Sequence, residues 1–249
     1  MLNALRFKSG GLLKKAKLGG AMSRSRIIRN KVNTSNGLLN SLAAYWKMDE
    51  ASGTRVDATG KGNNLTSVNG TSVTDGVINN AALFDGTDWL GISSISFIPS
   101  GTSDVTFSFW FRLDDVIGGG TPTLLEATDY LTGFLIRCYF GFTIQVFLAG
   151  NVYEFPQLFD LGTVHHLVVR RKSGALEVFF DSVSLGSVAA NDSVTSTGTG
   201  TIGQDNRTHG DPWVGFIDET GIWSVALTDS QIAALYNSGA GLPYENFVT

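Results

Sequence analysis

The stretch Phe107-Ser108-Phe109-Trp110-Phe111-Arg112 decides the fold of this chain. In an extended strand successive side chains point to opposite faces, so the three phenylalanines share one face and Ser108, Trp110 and Arg112 share the other. Bulk on both faces is typical of a strand covered on both sides, or of one with an aromatic residue on its open face. The stretch therefore predicts a strand inside a β-rich domain.

Further strand patterns follow this stretch at short spacing. Residues 164–171 and 175–180 flank Lys172-Ser173-Gly174, a hairpin signal with glycine at the turn, and Asp181-Ser182 predicts a second turn into a strand over residues 183–188. Because no helical pattern separates them, we expect two packed antiparallel sheets over about residues 42–226. The alternation places six apolar residues mostly in the interior: Phe107, Phe109, Phe111, Val168, Val178 and Ile217.

One short helix is predicted near the end of the chain. Thr228-Asp-Ser-Gln231 is a capping box, in which the Thr228 side chain and the Gln231 side chain each bond the other residue's backbone N–H. Ile232 and Leu235 follow at helical spacing, and Gly239 supplies the expected stop. The pattern predicts a helix over about residues 229–237 that is stabilised by docking on the sandwich.

Composition agrees with one large all-β domain. Thirty glycines against 5 prolines, with 16 phenylalanines, suit many short strands joined by tight turns. No run approaches 18 apolar residues, so no membrane-spanning helix is expected. The single cysteine, Cys138, excludes an intrachain disulfide and is interpreted as a small buried hydrophobic residue.

Several segments resemble, in order, the successive elements of one family of β-sandwich domains. The ordered set is Ala44-Tyr-Trp-Lys-Met-Asp-Glu-Ala-Ser-Gly53, Val56-Asp-Ala-Thr-Gly-Lys-Gly-Asn-Asn-Leu65, Ala82-Leu-Phe-Asp-Gly86, the aromatic stretch 107–112, Val164-His-His-Leu-Val168, Gly215-Phe-Ile-Asp-Glu219 and the terminal helix.

This set resembles the laminin-G-like domains of the concanavalin A-like lectin/glucanase superfamily over about residues 44–240. The resemblance implies an all-β, jelly-roll β-sandwich that binds glycans or proteins and often holds a structural calcium. The ending Tyr236-Asn-Ser-Gly-Ala-Gly-Leu-Pro-Tyr244 is similar to domains of bacteriophage structural proteins.

No catalytic residues are predicted. Glucanases with this fold place carboxylates at i and i+2 on one strand, where they share a face. Here Asp114-Asp115 and Asp218-Glu219 are adjacent, and Glu177 lies on a strand while Asp181 falls in the following turn. The neighbours His165 and His166 face opposite ways on a strand, so they do not form one acid–base site.

Calcium is the one cofactor that the resemblance implies. Calcium needs six to eight oxygen ligands, and the turn from Asp57 to Asn63 offers a carboxylate and carbonyls. In related domains an aspartate of the closing strand lies near this turn, which here is Asp218; Asp49 and Glu50 are further candidates. The alternative is that Asp57 and Asn63 bond only their own turn.

A glycan site needs an exposed aromatic ring beside polar groups. Trp89, in Asp85-Gly-Thr-Asp-Trp-Leu90, and Trp213, in His209-Gly-Asp-Pro-Trp213, are the loop aromatics that fit, with His209 in the same polar loop. Core packing is the alternative for each tryptophan.

Charge divides the chain into a basic beginning and an acidic remainder. Residues 1–37 carry a charge of +9 and no acid, whereas the remaining residues carry −13, which together give the net −4. We therefore predict a basic N-terminal anchoring arm and linker over residues 1–40 and a sandwich over residues 41–249. The anchoring residues are Arg6, Lys8, Lys14, Lys15, Lys17, Arg24, Arg26, Arg29 and Lys31.

Nucleic acid, a membrane surface and an acidic protein lattice are the partners that such an arm fits. The arm has no sustained apolar stripe, which disfavours a membrane helix, and no secretory signal is recognised. The acidic sandwich disfavours nucleic-acid binding by that domain. We therefore expect a non-enzymatic protein of a multi-subunit bacteriophage virion, a head decoration or fibre-like adhesin on its outer surface. The alternatives are a cellular carbohydrate-binding module or accessory domain, and an internal, genome-contacting virion protein.

Overall fold

The computed structural model describes residues 37–117, 120–139 and 143–249. They form two antiparallel sheets packed as a sandwich, with one short α-helix, as the sequence predicts. The strands are β1 (Leu42–Trp46), β2 (Leu65–Val68), β3 (Ser72–Asp75), β4 (Asn80–Asp85), β5 (Trp89–Ile92), β6 (Val105–Asp115), β7 (Thr123–Ala127), β8 (Phe134–Tyr139), β9 (Thr143–Leu148), β10 (Asn151–Pro156), β11 (Val164–Lys172), β12 (Ala175–Phe180), β13 (Val183–Ala189), β14 (Gly200–Ile202) and β15 (Val214–Trp223).

Strand order brings distant parts of the chain together. The first sheet runs β13-β12-β11-β6-β15-β4-β3, and β1 also pairs with β15. The second sheet runs β10-β9-β8-β7-β14-β5-β2. Strand β6 therefore lies at the centre of the first sheet, between β11 and β15, which follow it much later in the sequence.

The main core fills the space between the two sheets. Phe107, Phe109 and Phe111 project from β6 into it and are fully buried, together with Val178 and Ile217. From the second sheet, Leu125, Ile136 and Val146 are among the residues of the same cluster, which also includes the free thiol of Cys138. The predicted interior position of these five first-sheet residues and the burial of Cys138 are confirmed.

The outer face of the first sheet is covered as well. A second apolar cluster lies on this outer face. It contains Val168, which is therefore buried there and not in the sandwich interior as predicted. The reason is that β11 has apolar residues on both faces. Trp110, on the same outer face, stacks on Tyr236 with ring centroids 5.7 Å apart. The members of this cluster are Leu38, Leu42, Tyr45, Val168, Phe179, Trp223, Leu227, Ile232, Leu235 and Phe247.

Helix α1 (Asp229–Tyr236) is the element that covers this face. The predicted capping box is present: the Gln231 backbone N–H donates to the Thr228 hydroxyl, and the Thr228 backbone N–H donates to the Gln231 side chain at 2.8 Å. The helix agrees with the predicted range of about 229–237 and ends where Asn237 adopts the left-handed conformation (φ 47°), before Gly239 is reached. Asparagine tolerates this conformation better than most residues do. Within the described residues no helix has the length and apolar character to cross a membrane.

Strand β15 buries two adjacent carboxyl groups. Its pairing with β6 shifts register between Asp218 and Gly221, and Glu219 has a positive φ of 42°. The Asp218 carboxylate accepts the backbone N–H groups of Val77 (2.8 Å) and Ile78 (3.3 Å), and Glu219 accepts the hydroxyl of Tyr45. Burial raises the pKa of Asp218 to about 7 and that of Glu219 to about 8.

We expect Phe109→Ala to lower the free energy of unfolding by about 3–5 kcal/mol, because it leaves a cavity between the two sheets. Denaturant unfolding of the wild type and the variant measures the difference. Leu158→Ala, at an exposed position, is the control and should have little effect. A loss below about 1 kcal/mol for Phe109→Ala would contradict its place at the sheet interface.

Stability should fall as the pH rises from about 5 to about 8, because the folded pKa values of Asp218 and Glu219 lie above their ordinary values and the folded state holds protons that the unfolded chain has lost. In Glu219→Gln this fall should be smaller, since the amide stays neutral and still accepts the Tyr45 hydroxyl. Melting temperatures across this pH range check the expectation.

Asp75→Asn, which removes an exposed carboxyl group, is the matched control for the pH profile and should keep the wild-type slope. A Glu219→Gln profile parallel to that of the wild type would mean that Glu219 is ionised in the folded protein throughout this range.

Candidate functional site

The outer face of the second sheet carries a continuous row of residues in register. Strand alternation points Leu65, Ile92 and Ile202 into the main core, so their neighbours along each strand face outward. Pairing across strands β2, β5, β14, β7, β8 and β9 then aligns Thr66, Gly91, Thr201, Glu126, Leu135 and Phe147. Two clefts lie along this row.

The Trp89 cleft lies over the β2, β5 and β14 part of the row. It has a volume of about 240 Å³ and is lined by Thr66, Trp89, Gly91, Thr201, Asn206 and His209, among others. The Trp89 and His209 rings are stacked, with centroids 4.9 Å apart and planes 24° from parallel. Gly91, two residues after Trp89, leaves the floor of the cleft without a side chain. Trp89 and His209, both predicted as ligand-binding residues, are thus brought together.

His209 is held in place by its own loop. Its Nδ1 lies 2.7 Å from Nε2 of Gln204, which is buried beneath it. The Asp205 carboxylate accepts the backbone N–H groups of Arg207 (3.0 Å) and Thr208 (2.6 Å), which closes the loop on itself. Burial alone raises the pKa of Asp205, but these hydrogen bonds and that from Gly210 lower it below its ordinary value.

Trp213 is not a ligand-binding residue, and that prediction is wrong. Its side chain is 0% exposed and packs edge-to-face on Phe111 with ring centroids 5.5 Å apart. Its indole N–H donates to the Arg112 carbonyl at 3.3 Å. Trp213 directly precedes β15, and its ring fills part of the main core. The alternative of core packing is therefore the correct one.

The Arg207 cleft lies over the β7, β8 and β9 part of the row. It has a volume of about 290 Å³ and is lined by Glu126, Tyr130, Arg137, Phe147, Asp205 and Arg207, among others. None of these residues was predicted from the sequence. The one available signal was Arg207, the only Lys or Arg in the polar loop between Gln204 and Trp213.

The predicted calcium ligands are engaged in hydrogen bonds to the protein. The Asp57 carboxylate accepts the backbone N–H groups of Tyr45 (3.3 Å), Thr59 (3.0 Å) and Asn63 (3.0 Å), as well as the Thr59 hydroxyl (2.6 Å). Asp218 bonds the turn between β3 and β4 instead. These contacts fit the alternative that Asp57 and Asn63 stabilise their own turn.

No group of three or more His, Cys, Asp or Glu side chains suited to a metal occurs in the described part of the chain. The donor set around Asp57 thus does not fit calcium as it stands, because the carboxylate lone pairs already accept N–H and O–H groups. Calcium binding at Asp57, Asn63 and Asp218 stays a prediction, which chelator-dependent melting would test.

The carboxylates considered for catalysis are tied to separate partners. Glu177 accepts from Arg170 at 2.6 Å, and Asp181 lies 2.8 Å from Nδ1 of His165. His166 is buried on the outer face of the first sheet, with Nε2 2.9 Å from the Ser108 hydroxyl, and burial lowers its pKa to about 3. His166 and His165 thus have separate partners and do not form one acid–base pair.

The nine predicted anchoring residues, from Arg6 to Lys31, lie outside the described residues. Leu38, near the predicted boundary at residue 40, is fully buried in the second cluster, and its carbonyl accepts the indole N–H of Trp223 at 2.7 Å. The division into arm and sandwich stays a prediction.

Comparison with solved structures finds this fold in other proteins, among them domains described as binding domains. Domain 4 of AbnA, an extracellular arabinanase of Geobacillus stearothermophilus solved with arabinotriose, is 20% identical with a TM-score of 0.63; the alignment covers 81% of this chain and 98% of that domain. The binding domain of Paraclostridial Mosquitocidal Protein 1 is 15% identical with a TM-score of 0.68, over 81% of this chain and 53% of the other. The binding domain of botulinum neurotoxin DC, solved with SialylT, is 11% identical with a TM-score of 0.63, over 81% and 52%.

Sequence comparison gives a family. A curated rat (Rattus norvegicus) protein, the sushi, von Willebrand factor type A, EGF and pentraxin domain-containing protein 1, is 28% identical over 147 residues, which are 54% of this chain and 4% of that protein. A family model of the laminin-G type, described as the concanavalin A-like lectin/glucanases superfamily, matches residues 84–233, from β4 to helix α1. Since this match spans more than half of the chain, the chain belongs to the laminin-G-like domains of the concanavalin A-like lectin/glucanases superfamily.

Proposed function

We propose that this chain is a non-enzymatic, glycan-binding structural protein of a bacteriophage virion, a head decoration or fibre-like adhesin. Its sandwich binds the glycan at the Trp89 cleft, and its basic arm, residues 1–38, attaches it to other virion proteins. The observation that carries the binding role is the stacked Trp89–His209 pair beside the hydroxyl and amide groups of Thr66, Thr201 and Asn206.

Physical chemistry favours a sugar in this cleft. The C–H face of a sugar ring packs on an aromatic ring, while its hydroxyls need polar neighbours, and the cleft offers both. The open floor at Gly91 leaves room for a ring to approach the sheet. Two of the structurally similar domains were solved with saccharides, arabinotriose and SialylT, which supports a saccharide as the ligand class.

The burial and hydrogen bonding of the carboxyl groups near the clefts favour a binding role without catalysis. The only carboxyl group of the row, Glu126, is 1% exposed and accepts the Asn206 backbone N–H at 2.5 Å. Asp205, which lines the Arg207 cleft together with Glu126, accepts N–H groups of its own loop. A hydrolase needs one acid to reach the glycosidic oxygen and a second to reach the sugar or a water. Glu126 and Asp205 are both engaged, which leaves Asp211 without an equally free second acid in the described lining of this cleft.

The virion role is supported by charge and by resemblance. The +9 segment has a composition suited to contacts with acidic clefts of a protein shell, each of which adds a modest, salt-sensitive term. The segment after helix α1 resembles those of bacteriophage structural proteins. These features favour an anchor and a displayed binding domain.

A cellular carbohydrate-binding module is the second candidate. It is favoured by the arabinanase domain, of which this chain covers 98%. The two candidates share the Trp89 cleft and differ in what the arm does, so a test of the arm separates them.

Trp89→Ala should weaken glycan binding by about 2 kcal/mol, or roughly thirtyfold in Kd, because it removes the ring on which the sugar packs. A glycan array that includes arabino-oligosaccharides, followed by calorimetry on the best ligand, measures this. His209→Ala, at an exposed position, should weaken binding without loss of melting temperature. Leu158→Ala, also exposed, is the control. Unchanged affinity in both the Trp89 and His209 variants would move the site elsewhere.

Deletion of residues 2–37 should leave a folded, soluble sandwich that still binds glycan and no longer incorporates into particles. Fractionation of assembled particles from a phage encoding the deletion measures incorporation, and circular dichroism with glycan binding checks the fold. Normal incorporation would show that the anchor lies in the sandwich. The cellular-module candidate instead expects glycan binding in both forms and attachment of neither form to a particle.

A further inference from the structure

In the Arg207 cleft, the acidic and the basic side chains differ in how far their hydrogen-bonding groups are already paired within the protein. Two of the cleft's three carboxylates, those of Glu126 and Asp205, accept hydrogen bonds from the protein. Glu126 accepts the Asn206 backbone N–H, and Asp205 accepts the N–H groups of Arg207, Thr208 and Gly210 as well as the Thr208 hydroxyl. Burial raises the pKa of Glu126. Glu126 and Asp205 therefore offer few acceptor sites to a ligand, and the third acid, Asp211, has one contact of 3.4 Å, to Arg137.

The two guanidinium groups of the cleft keep N–H groups that donate no hydrogen bond to the described residues. Arg207 is exposed, lies over the Tyr130 ring at 4.9 Å from the centroid, and has no hydrogen bond or ion pair from its side chain to the described residues. Arg137 lies over Phe147 at 4.8 Å, donates through Nε to Gln145 at 2.8 Å, and has one longer contact of 3.4 Å to Asp211. Both planar groups are thus oriented by aromatic rings, with N–H groups remaining for an acceptor.

We propose that the Arg207 cleft is a second subsite that binds the anionic group of a saccharide, a carboxylate or a sulfate, through Arg207 with Arg137 beside it. This inference rests on the proposed glycan-binding function and extends it to a ligand class. A guanidinium fork matches a carboxylate or sulfate in two parallel hydrogen bonds, whereas a neutral hydroxyl accepts only one. The volume of about 290 Å³ lies at the small end of ligand pockets, which suits one terminal sugar.

The loop between Gln204 and Trp213 places this subsite next to the first one. Asp205, Arg207 and Thr208 line the Arg207 cleft, while Asn206 and His209 line the Trp89 cleft. Successive residues of one loop thus form a wall of both clefts. The Asn206 backbone N–H that bonds Glu126 ties this wall to the sheet.

Calorimetry with the full chain tests the proposal on matched probes. One set is lactose, sialyllactose and sulfated lactose. A second is trigalacturonate and its methyl ester, in which each carboxylate is replaced by an uncharged ester. We expect an acidic member of at least one set to bind about tenfold tighter than its neutral partner or more. The first set separates carboxylate from sulfate as the source of the charge.

Arg207→Gln should abolish this preference while leaving neutral binding unchanged, and Arg207→Lys should retain part of it, because lysine keeps the charge without the fork. Lys172→Gln, which removes an exposed charge on the first sheet, is the control for net charge and should keep the preference. Melting temperatures confirm that the variants fold.

The results distinguish this inference from the function on which it rests. Equal binding of acidic and neutral members in every set, or a preference that survives Arg207→Gln, overturns the anionic subsite while Trp89-dependent binding stands. If no saccharide binds the wild type on the array or in calorimetry, both proposals fail.

Discussion

The burial of strand β6 on both faces is the constraint on which the rest of the structure depends. Phe107, Phe109 and Phe111 require a second sheet on one side, and Trp110 requires a cover on the other. The second sheet provides the first cover, and helix α1, with the residues after it, provides the second. Both covers include segments distant in sequence from β6, and so do its two partner strands, β11 and β15. Most of the apolar burial that stabilises the domain depends on this arrangement.

The two clefts lie on the outer face of the second sheet, which helix α1 does not cover. The centre of the first sheet is covered on both faces, whereas the outward row of the second sheet carries the two clefts. Its alternation sends large apolar residues into the core and leaves Thr66, Gly91 and Thr201 facing outward. The loop between Gln204 and Trp213 lies along this face, and Asp205 accepts hydrogen bonds from within the loop. The loop therefore holds His209 and Arg207 in defined positions, and Gln204 also contacts His209. Such preorganisation would lower the ordering cost of binding the proposed saccharide.

Buried polar groups show how the domain balances structure against chemistry. Asp57, Asp218 and Glu126 are all buried, and each accepts backbone N–H groups that the turns and loops around it leave unpaired. In each case the carboxyl group stabilises a turn or loop where strand pairing ends. These acids resemble catalytic or metal-binding groups in sequence, yet their oxygens are directed at the protein itself. Arg207, by contrast, is exposed, and its side chain has no hydrogen bond or ion pair to the described residues.

The sequence by itself determined the sandwich, the hairpin between β11 and β12, the capped helix and the interior phenylalanines. These features follow from local periodicity and turn chemistry, which need only neighbouring residues. The tertiary structure alone decided which tryptophan is accessible: Trp89 and Trp213 both lie at the ends of polar loops, but only the packing of Phe111 fixes Trp213 in the core. It also decided that Val168 packs under the helix and that Glu126, Tyr130, Arg137 and Arg207 share a cleft. Those residues come from different strands and loops, and their meeting depends on strand order, which no local pattern encodes.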